Sequence, residues 1–153
     1  MKLSSSAFKE DSTIPSLYTC EGKGINPPLD IVDVPSGAKS LALIMDDPDV
    51  PASLRPDRMY DHWVVFNIPP TTGHIAENSA PFGIQGKNTA GTARYFGPCP
   101  PDREHRYFFK LYALDAMLSL HPGATKKELL DAMEGHILSQ CQLMGRYEKK
   151  QSR

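Results

Sequence analysis

Apolar residues gather in three short runs, Ser40 to Met45, His62 to Ile68 and Arg106 to Leu114, separated by polar stretches rich in proline. Each run is dense in aliphatic, β-branched or aromatic residues and bounded by turn formers, the pattern of a β-strand. In the third, Tyr107, Phe109, Leu111 and Ala113 project one way and Phe108, Lys110, Tyr112 and Leu114 the other, because strand side chains alternate. Both sides are mostly apolar, so this strand is expected at the centre of a sheet, covered on two faces. Weaker strand signals lie at Leu29 to Val34 and Gly145 to Glu148.

A helical pattern follows late in the chain. Pro122-Gly123 sets a break, and Thr125-Lys126-Lys127-Glu128 reads as a capping box, in which the Thr hydroxyl and the Glu carboxylate each satisfy an amide of the first turn. Leu129, Leu130, Met133, Ile137, Gln140, Cys141 and Met144 then recur at helical spacing, predicting a helix that buries this stripe against a sheet and ends near Gly145. His136 falls on the buried stripe as a core histidine. The fourteen prolines sit between the apolar runs, not inside them, and stiffen long loops. The pattern predicts a mostly β (α+β) domain with a late helix and leaves the sheet topology open.

Composition narrows the class. A chain of 153 residues fits a single domain, 1–153, able to bury roughly two thirds of the surface its unfolded form exposes. The longest uninterrupted apolar run, Leu41 to Met45, is far below the ~20 residues of a membrane span, so stable membrane insertion is not expected. The N-terminal Met1-Lys2-Leu3-Ser4-Ser5-Ser6 leads into Phe8-Lys9-Glu10-Asp11 without an apolar signal region, and a cytoplasmic location is expected. Net charge is −1 and basic residues do not cluster, which argues against nucleic acid as a partner. Cys20, Cys99 and Cys141, an odd count at wide spacing with no C-x-x-C, are read as reduced thiols and not as a disulfide framework or zinc site.

Candidate chemistry sits where the three strands meet their loops. Asp47 follows the first strand and precedes a proline; alone it reads as a turn-forming residue. His62 opens the second strand in parity with Val64, Phe66 and Ile68, a position equally suited to a core histidine and to a pocket group. His105 and Tyr107 differ by two, so they share a strand face and flank one spot, where an imidazole and a phenol suit a phosphate, sulfate or carboxylate oxygen. The competing reading makes Tyr107 a core aromatic. Cys99 lacks an orienting partner for nucleophilic work, and His74 and His121 carry no signal.

Taken together, Asp46-Asp47-Pro48-Asp49-Val50-Pro51, His62-Trp63-Val64-Val65-Phe66-Asn67-Ile68-Pro69 and His105-Arg106-Tyr107 resemble the phosphatidylethanolamine-binding protein family, and most closely its bacterial, Raf-kinase-inhibitor-like branch. The likeness extends from Tyr18-Thr19-Cys20-Glu21-Gly22 and Asn26-Pro27-Pro28-Leu29 to Ala132-Met133-Glu134-Gly135-His136-Ile137-Leu138. It implies an antiparallel β-sandwich with a large central sheet, a smaller sheet and a C-terminal helix. It also implies a small anion pocket for phosphate or a phosphoethanolamine-like head group, lined by Asp47, His62, His105 and Tyr107. Tyr60 would stand at the mouth, and Gly97, Pro98 and Pro100 in the rim loop. One departure is visible: Asp102-Arg103-Glu104 stands where the family has a glycine-containing turn, so a narrower, more charged or differently shaped mouth is expected.

The function expected from this reading is non-catalytic binding of a small anion or phospholipid head group, without cofactor or metal, and with room for a regulated or inhibited protein partner and for a homodimer. Asp47, His62 and His105 as a hydrolase triad, metal-free or metal-dependent, is the alternative, although the ligand spacing has no metal signature. A lipid carrier fits less well, because Glu128, Asp131 and Glu134 accompany Lys126 and Lys127 on the predicted helix. Protonation of His62 or His105 near pH ~6 is expected to tighten anion binding.

Overall fold

The computed structural model describes residues 1–150. Nine strands, β1 (Lys2–Ser4), β2 (Ser12–Thr13), β3 (Leu29–Val32), β4 (Ser40–Asp47), β5 (Tyr60–Ile68), β6 (His74–Ile75), β7 (Ile84–Gln85), β8 (His105–Leu114) and β9 (Ile137–Tyr147), accompany one α-helix, α1 (Lys126–Met133). They form a small sheet, β1-β3-β6, and a large one, β2-β9-β8-β4-β5-β7, so the mostly β sandwich with two sheets and a late helix is what the chain builds. Pairing is antiparallel throughout except between β2 and β9.

Alternation along the long strands sorts the core into two layers. Leu41, Leu43, Met45, Trp63, Val65, Phe109 and Leu111 face the small sheet, where Leu3, Leu29, Ile31 and Ile75 meet them. Ala42, Ile44, Val64, Phe66 and Leu114 face the other way, onto Leu129 and Met133 of α1. β8 lies between β9 and β4, the central place its two apolar faces predicted. Among the described residues no helix is long and apolar enough to cross a membrane.

The helix is shorter than its sequence pattern suggested. The capping box forms as expected, with Thr125 and Glu128 bonded reciprocally, but α1 stops at Met133 and Gly135 turns the chain at φ +83°. Such a left-handed turn is open to glycine and costly to most other residues. The stretch expected to continue the helix is instead β9, which pairs with the whole of β8 from His105↔Tyr147 to Leu114↔Ile137. Leu143, Gly145 and Tyr147 are buried at a spacing of two, so strand alternation overrides the helical reading, and the weak signal at Gly145 to Glu148 is the end of this long strand. His136 is no core histidine: it is exposed and bonds Asp115 at 2.8 Å. Leu130 and Ile137, also placed on the buried stripe, are exposed.

The cysteine expectation is corrected as well. Cys20 and Cys99, 79 residues apart, form a disulfide, and Cys141 on β9 is the free thiol. What joins them is tertiary. The backbone at Gly97 packs so closely on the 3-10 turn Ser16–Tyr18 and on Thr19 that a Cβ there would sit 2.6 Å from the Tyr18 carbonyl oxygen. The Cys20 amide donates to the Pro98 carbonyl at 3.0 Å.

Candidate functional site

The antiparallel order β8-β4-β5 places the end of β4 beside the starts of β5 and β8, so Asp47, His62 and His105 lie at one sheet edge despite their distance in sequence. There a cavity of about 480 Å³ is lined by Asp47, Val50, Leu54, Arg55, Tyr60, His62, Thr89, Phe96, Cys99, Pro100, Pro101, His105 and Tyr107. Six of the eight residues singled out from sequence therefore share one wall. Gly97 and Pro98 are not among the lining residues; they fasten the loop that carries Phe96, Cys99 and Pro100 onto the 3-10 turn.

A β-bulge aims His62 into this cavity. β4 and β5 pair regularly from Leu43↔Val65 to Met45↔Trp63, but the next pairs are Asp46↔Asp61 and Asp47↔Tyr60, leaving His62 as an extra residue in β5. Strict alternation would send His62 to the α1 side with Val64 and Phe66; the bulge instead packs it against Tyr60, tilted, and Tyr107, edge-on, with ring centroids 4.8 and 5.3 Å away. Bulges commonly re-aim a side chain in this way. Two bonds to one residue fix the ring: the Phe96 amide donates to the His62 carbonyl at 2.9 Å, and His62 Nδ1 donates to the Phe96 carbonyl at 2.6 Å. Because a carbonyl oxygen only accepts, Nδ1 must carry a proton. Burial penalises the charged ring and pushes its pKa down to about 4, against the opposing pull of the Phe96 carbonyl and the Asp46 charge. At neutral pH His62 is thus a neutral imidazole whose Nε2 is an acceptor, not the proton-switched cation expected near pH 6.

His105 is held on both sides. Its Nδ1 lies 2.6 Å from Asp47 Oδ2, and its Nε2 lies 2.6 Å from Asp102 Oδ1. Asp47 Oδ1 in turn accepts from the Asp49 amide at 2.7 Å. Burial raises the Asp47 pKa above the ordinary carboxylate range, although the bond to His105 opposes it. Desolvation works against the Asp102 charge too, but there the His105 bond and the Arg103 charge outweigh it and hold the carboxyl low. The Asp102-Arg103-Glu104 departure thus takes physical form: a carboxylate from the mouth occupies the second nitrogen of His105.

Tyr107 stands at the floor, fully buried. Its hydroxyl makes no hydrogen bond of good geometry among the described residues. The nearest acceptor is the Asp47 carboxylate, whose charge and off-line hydrogen-bonding pull add to burial in raising the Tyr107 pKa, but that carboxylate is already engaged by His105 and the Asp49 amide. A buried unpaired hydroxyl is costly in a folded protein and marks a place where a further group is wanted.

Sequence reasoning missed three supports. Asp49 clamps Arg106 through three contacts of 2.8–2.9 Å, tying the β4 loop to the start of β8; that bond, above all other influences, keeps the Asp49 carboxyl low. The D-P-D and H-R-Y motifs each held one half of this pair. Asp46 points to the opposite face, where Lys110 and Lys126 bond it at 3.0 and 3.1 Å and Lys126 also reaches Asp61 at 2.8 Å. Phe96 and Arg55 flank the cavity from loops with no signal beyond their proximity to proline. Among the described residues no group of three His, Cys, Asp or Glu is placed to hold a metal ion.

Comparison with known proteins places the chain in a family. The family model described as phosphatidylethanolamine-binding protein matches residues 4–148. The chain belongs to the phosphatidylethanolamine-binding protein family. Within it, a Chlamydia muridarum protein named UPF0098 protein is 53% identical over 149 residues, covering 97% of this chain and 99% of the relative. A UPF0098 protein of Methanothermobacter thermautotrophicus is 50% identical over 155 residues, covering 97% and 99%. The solved structure of a putative phosphatidylethanolamine-binding protein homolog, CT736 of Chlamydia trachomatis, superposes with a TM-score of 0.95 at 52% identity and covers 97% of both chains. E. coli YbcL, described as a new member of the mammalian family, superposes at 0.87 with 27% identity, covering 97% and 98%.

Proposed function

We propose that this family member is a single-domain, non-catalytic protein that binds a small phosphate-type anion in the cavity between β4, β5 and β8. The observation that carries the reading is the Tyr107 hydroxyl, buried without a partner at the cavity floor. An oxyanion oxygen is the acceptor such a donor lacks, and a hydrogen bond to a charged acceptor is stronger than a neutral one. Val50, Leu54, Phe96 and Pro101 make the walls apolar around this polar floor, as in small-ligand sites generally, so the organic part of a head group would rest on them. A hydrolase is disfavoured because Cys99 is spent in the disulfide and Thr89 Oγ1 is tied to the Asp61 amide at 2.8 Å, so neither the thiol nor the aliphatic hydroxyl of the lining stands free as a nucleophile.

Titration with inorganic phosphate, followed by amide chemical shifts, tests the reading. Saturable shifts at Tyr60, His62 and Tyr107 are expected, and Tyr107→Phe is expected to weaken binding roughly tenfold or more, the usual worth of one hydrogen bond to a charged group. No saturable binding, or an unchanged affinity in Tyr107→Phe, would overturn it. Asp102→Ala gives a second expectation. Removing this carboxylate uncovers His105 Nε2 and takes a negative charge from the mouth, so phosphate affinity should rise several-fold, most at low salt.

A further inference from the structure

We infer that the pocket selects a phosphomonoester in its singly protonated form, the ligand's own P–OH donating to His62 Nε2 while an unprotonated oxygen accepts from the Tyr107 hydroxyl. The inference rests on the anion-binding reading above and adds to it which proton the complex needs and which ligands lack it.

The geometry supplies one donor and one acceptor where an ordinary anion site supplies donors only. His62 Nδ1 is committed to the Phe96 carbonyl at 2.6 Å, so the neutral ring has Nε2 bare, and nothing described in the structure donates to it. Tyr107, 5.3 Å away between ring centroids and nearly perpendicular, offers the donor. A sulfate or a phosphodiester has no proton to give Nε2 and would bring lone pair against lone pair there. The monoanion of a phosphomonoester has one P–OH and two free oxygens, and fits both groups at once. Sites built to hydrogen-bond a ligand hydroxyl reject analogues without it far more strongly than apolar sites reject a small change in shape.

The charges around the cavity also favour the less charged ligand. Asp47 on β4 and Asp102 from the mouth face His105 on β8, giving two carboxylates to one imidazole. Tyr60 on β5 and Tyr107 on β8 are held as neutral phenols by burial, and Asp46 adds negative potential at His62 from behind. Arg55, the cation among the lining residues, already contacts Asp57 at 3.6 Å. A dianion enters this field at a disadvantage that a monoanion largely avoids.

The test compares phosphoethanolamine, sulfate and dimethyl phosphate by calorimetry on the intact chain between about pH 5.5 and 8, a range that spans the second ionisation of a phosphomonoester near ~6. Phosphoethanolamine is expected to bind at least tenfold tighter than the other two at the acid end. Its affinity should fall toward tenfold per pH unit above that ionisation, relative to sulfate at the same pH. The sulfate curve carries any titration of Asp47, Asp102 or His105, so the ratio isolates the ligand's proton. His62→Phe should erase the ratio, whereas Tyr107→Phe should weaken all three ligands and preserve it. Vesicles containing phosphatidate, a lipid monoester, set against vesicles of diester lipid alone, distinguish a membrane source of the same group from a free one. Sulfate or dimethyl phosphate binding as tightly as phosphoethanolamine, or a ratio flat with pH, would overturn this inference and leave anion binding standing. Failure of all three to bind would overturn both.

Discussion

Acidification from about pH 6.5 to about 4 is expected to cost the folded protein about 3 kcal/mol through His62 alone. The ring is 4% exposed, and its burial disfavours the imidazolium, so the folded chain takes up this proton only near pH 4 whereas an unfolded chain takes it near 6.5. Between those values the unfolded state holds more protons, and stability therefore rises with pH: the contribution is present above about 6.5 and lost as pH falls through about 4. Asp47 acts in the opposite sense, since burial raises its pKa and its contribution is lost as pH rises through the folded value. A difference measurement separates the two. Urea unfolding of the wild-type chain and of His62→Gln, whose amide can still donate to the Phe96 carbonyl, should diverge steadily across this window, because the variant lacks the titrating ring. Parallel stability curves would mean that the folded protein protonates His62 as readily as the unfolded chain does, near pH ~6.5, and the acceptor role of Nε2 would be lost below that pH.

The parts legible in the sequence were those governed by local alternation. Ser40 to Met45, His62 to Ile68 and Arg106 to Leu114 announced β4, β5 and β8 almost to their ends, and the H-R-Y spacing put His105 and Tyr107 on one face. Parity failed where the backbone breaks it. β5 carries irregularities near both ends, one at His62 and one between the pairs Leu43↔Val65 and Leu41↔Ile68, where Asn67 sits at φ +54°. Val64 and Phe66 face the helix, whereas His62 and Ile68 do not, and no residue in the run signals the switch. The helix reading overshot because Ile137, Gln140, Cys141 and Met144 satisfy a 3.6-residue period by composition, whereas Gly135 and the unpaired edge of β8 decide for a strand. Asp102 was noticed only as a departure from a motif; its bond to His105 depends on how the Pro100-Pro101 turn brings the carboxylate back, which is a tertiary fact.

Removal of the Cys20–Cys99 disulfide is expected to lower stability by about 3 kcal/mol, within the ~2–4 typical of such bridges, because the bond closes a 79-residue loop in the unfolded chain. Local bonds do not replace that effect. The Cys20 amide still reaches the Pro98 carbonyl and the Tyr95 hydroxyl still donates to the Tyr18 carbonyl at 2.8 Å, so the loop keeps its path in the folded state, and the loss falls on the unfolded ensemble. Both cysteines are exposed, so a thiol reductant has access. The compartment then matters: an exposed bridge of this kind is retained in oxidising surroundings and opened where thiols are kept reduced, so a chain working in the cytoplasm would work in its less stable form. Denaturant midpoints with and without dithiothreitol, beside those of Cys20→Ser/Cys99→Ser, should coincide for the reduced wild-type chain and the double variant and lie well below the oxidised wild type. Titration of the denatured, unreduced chain should find the Cys141 thiol alone. Because the loop that carries Cys99 keeps its path in the folded state, the reduced protein is expected to retain its phosphate affinity, and Tyr107→Phe its penalty. Three reactive thiols in the unreduced chain, or midpoints indifferent to reductant, would remove the bridge from the account of stability.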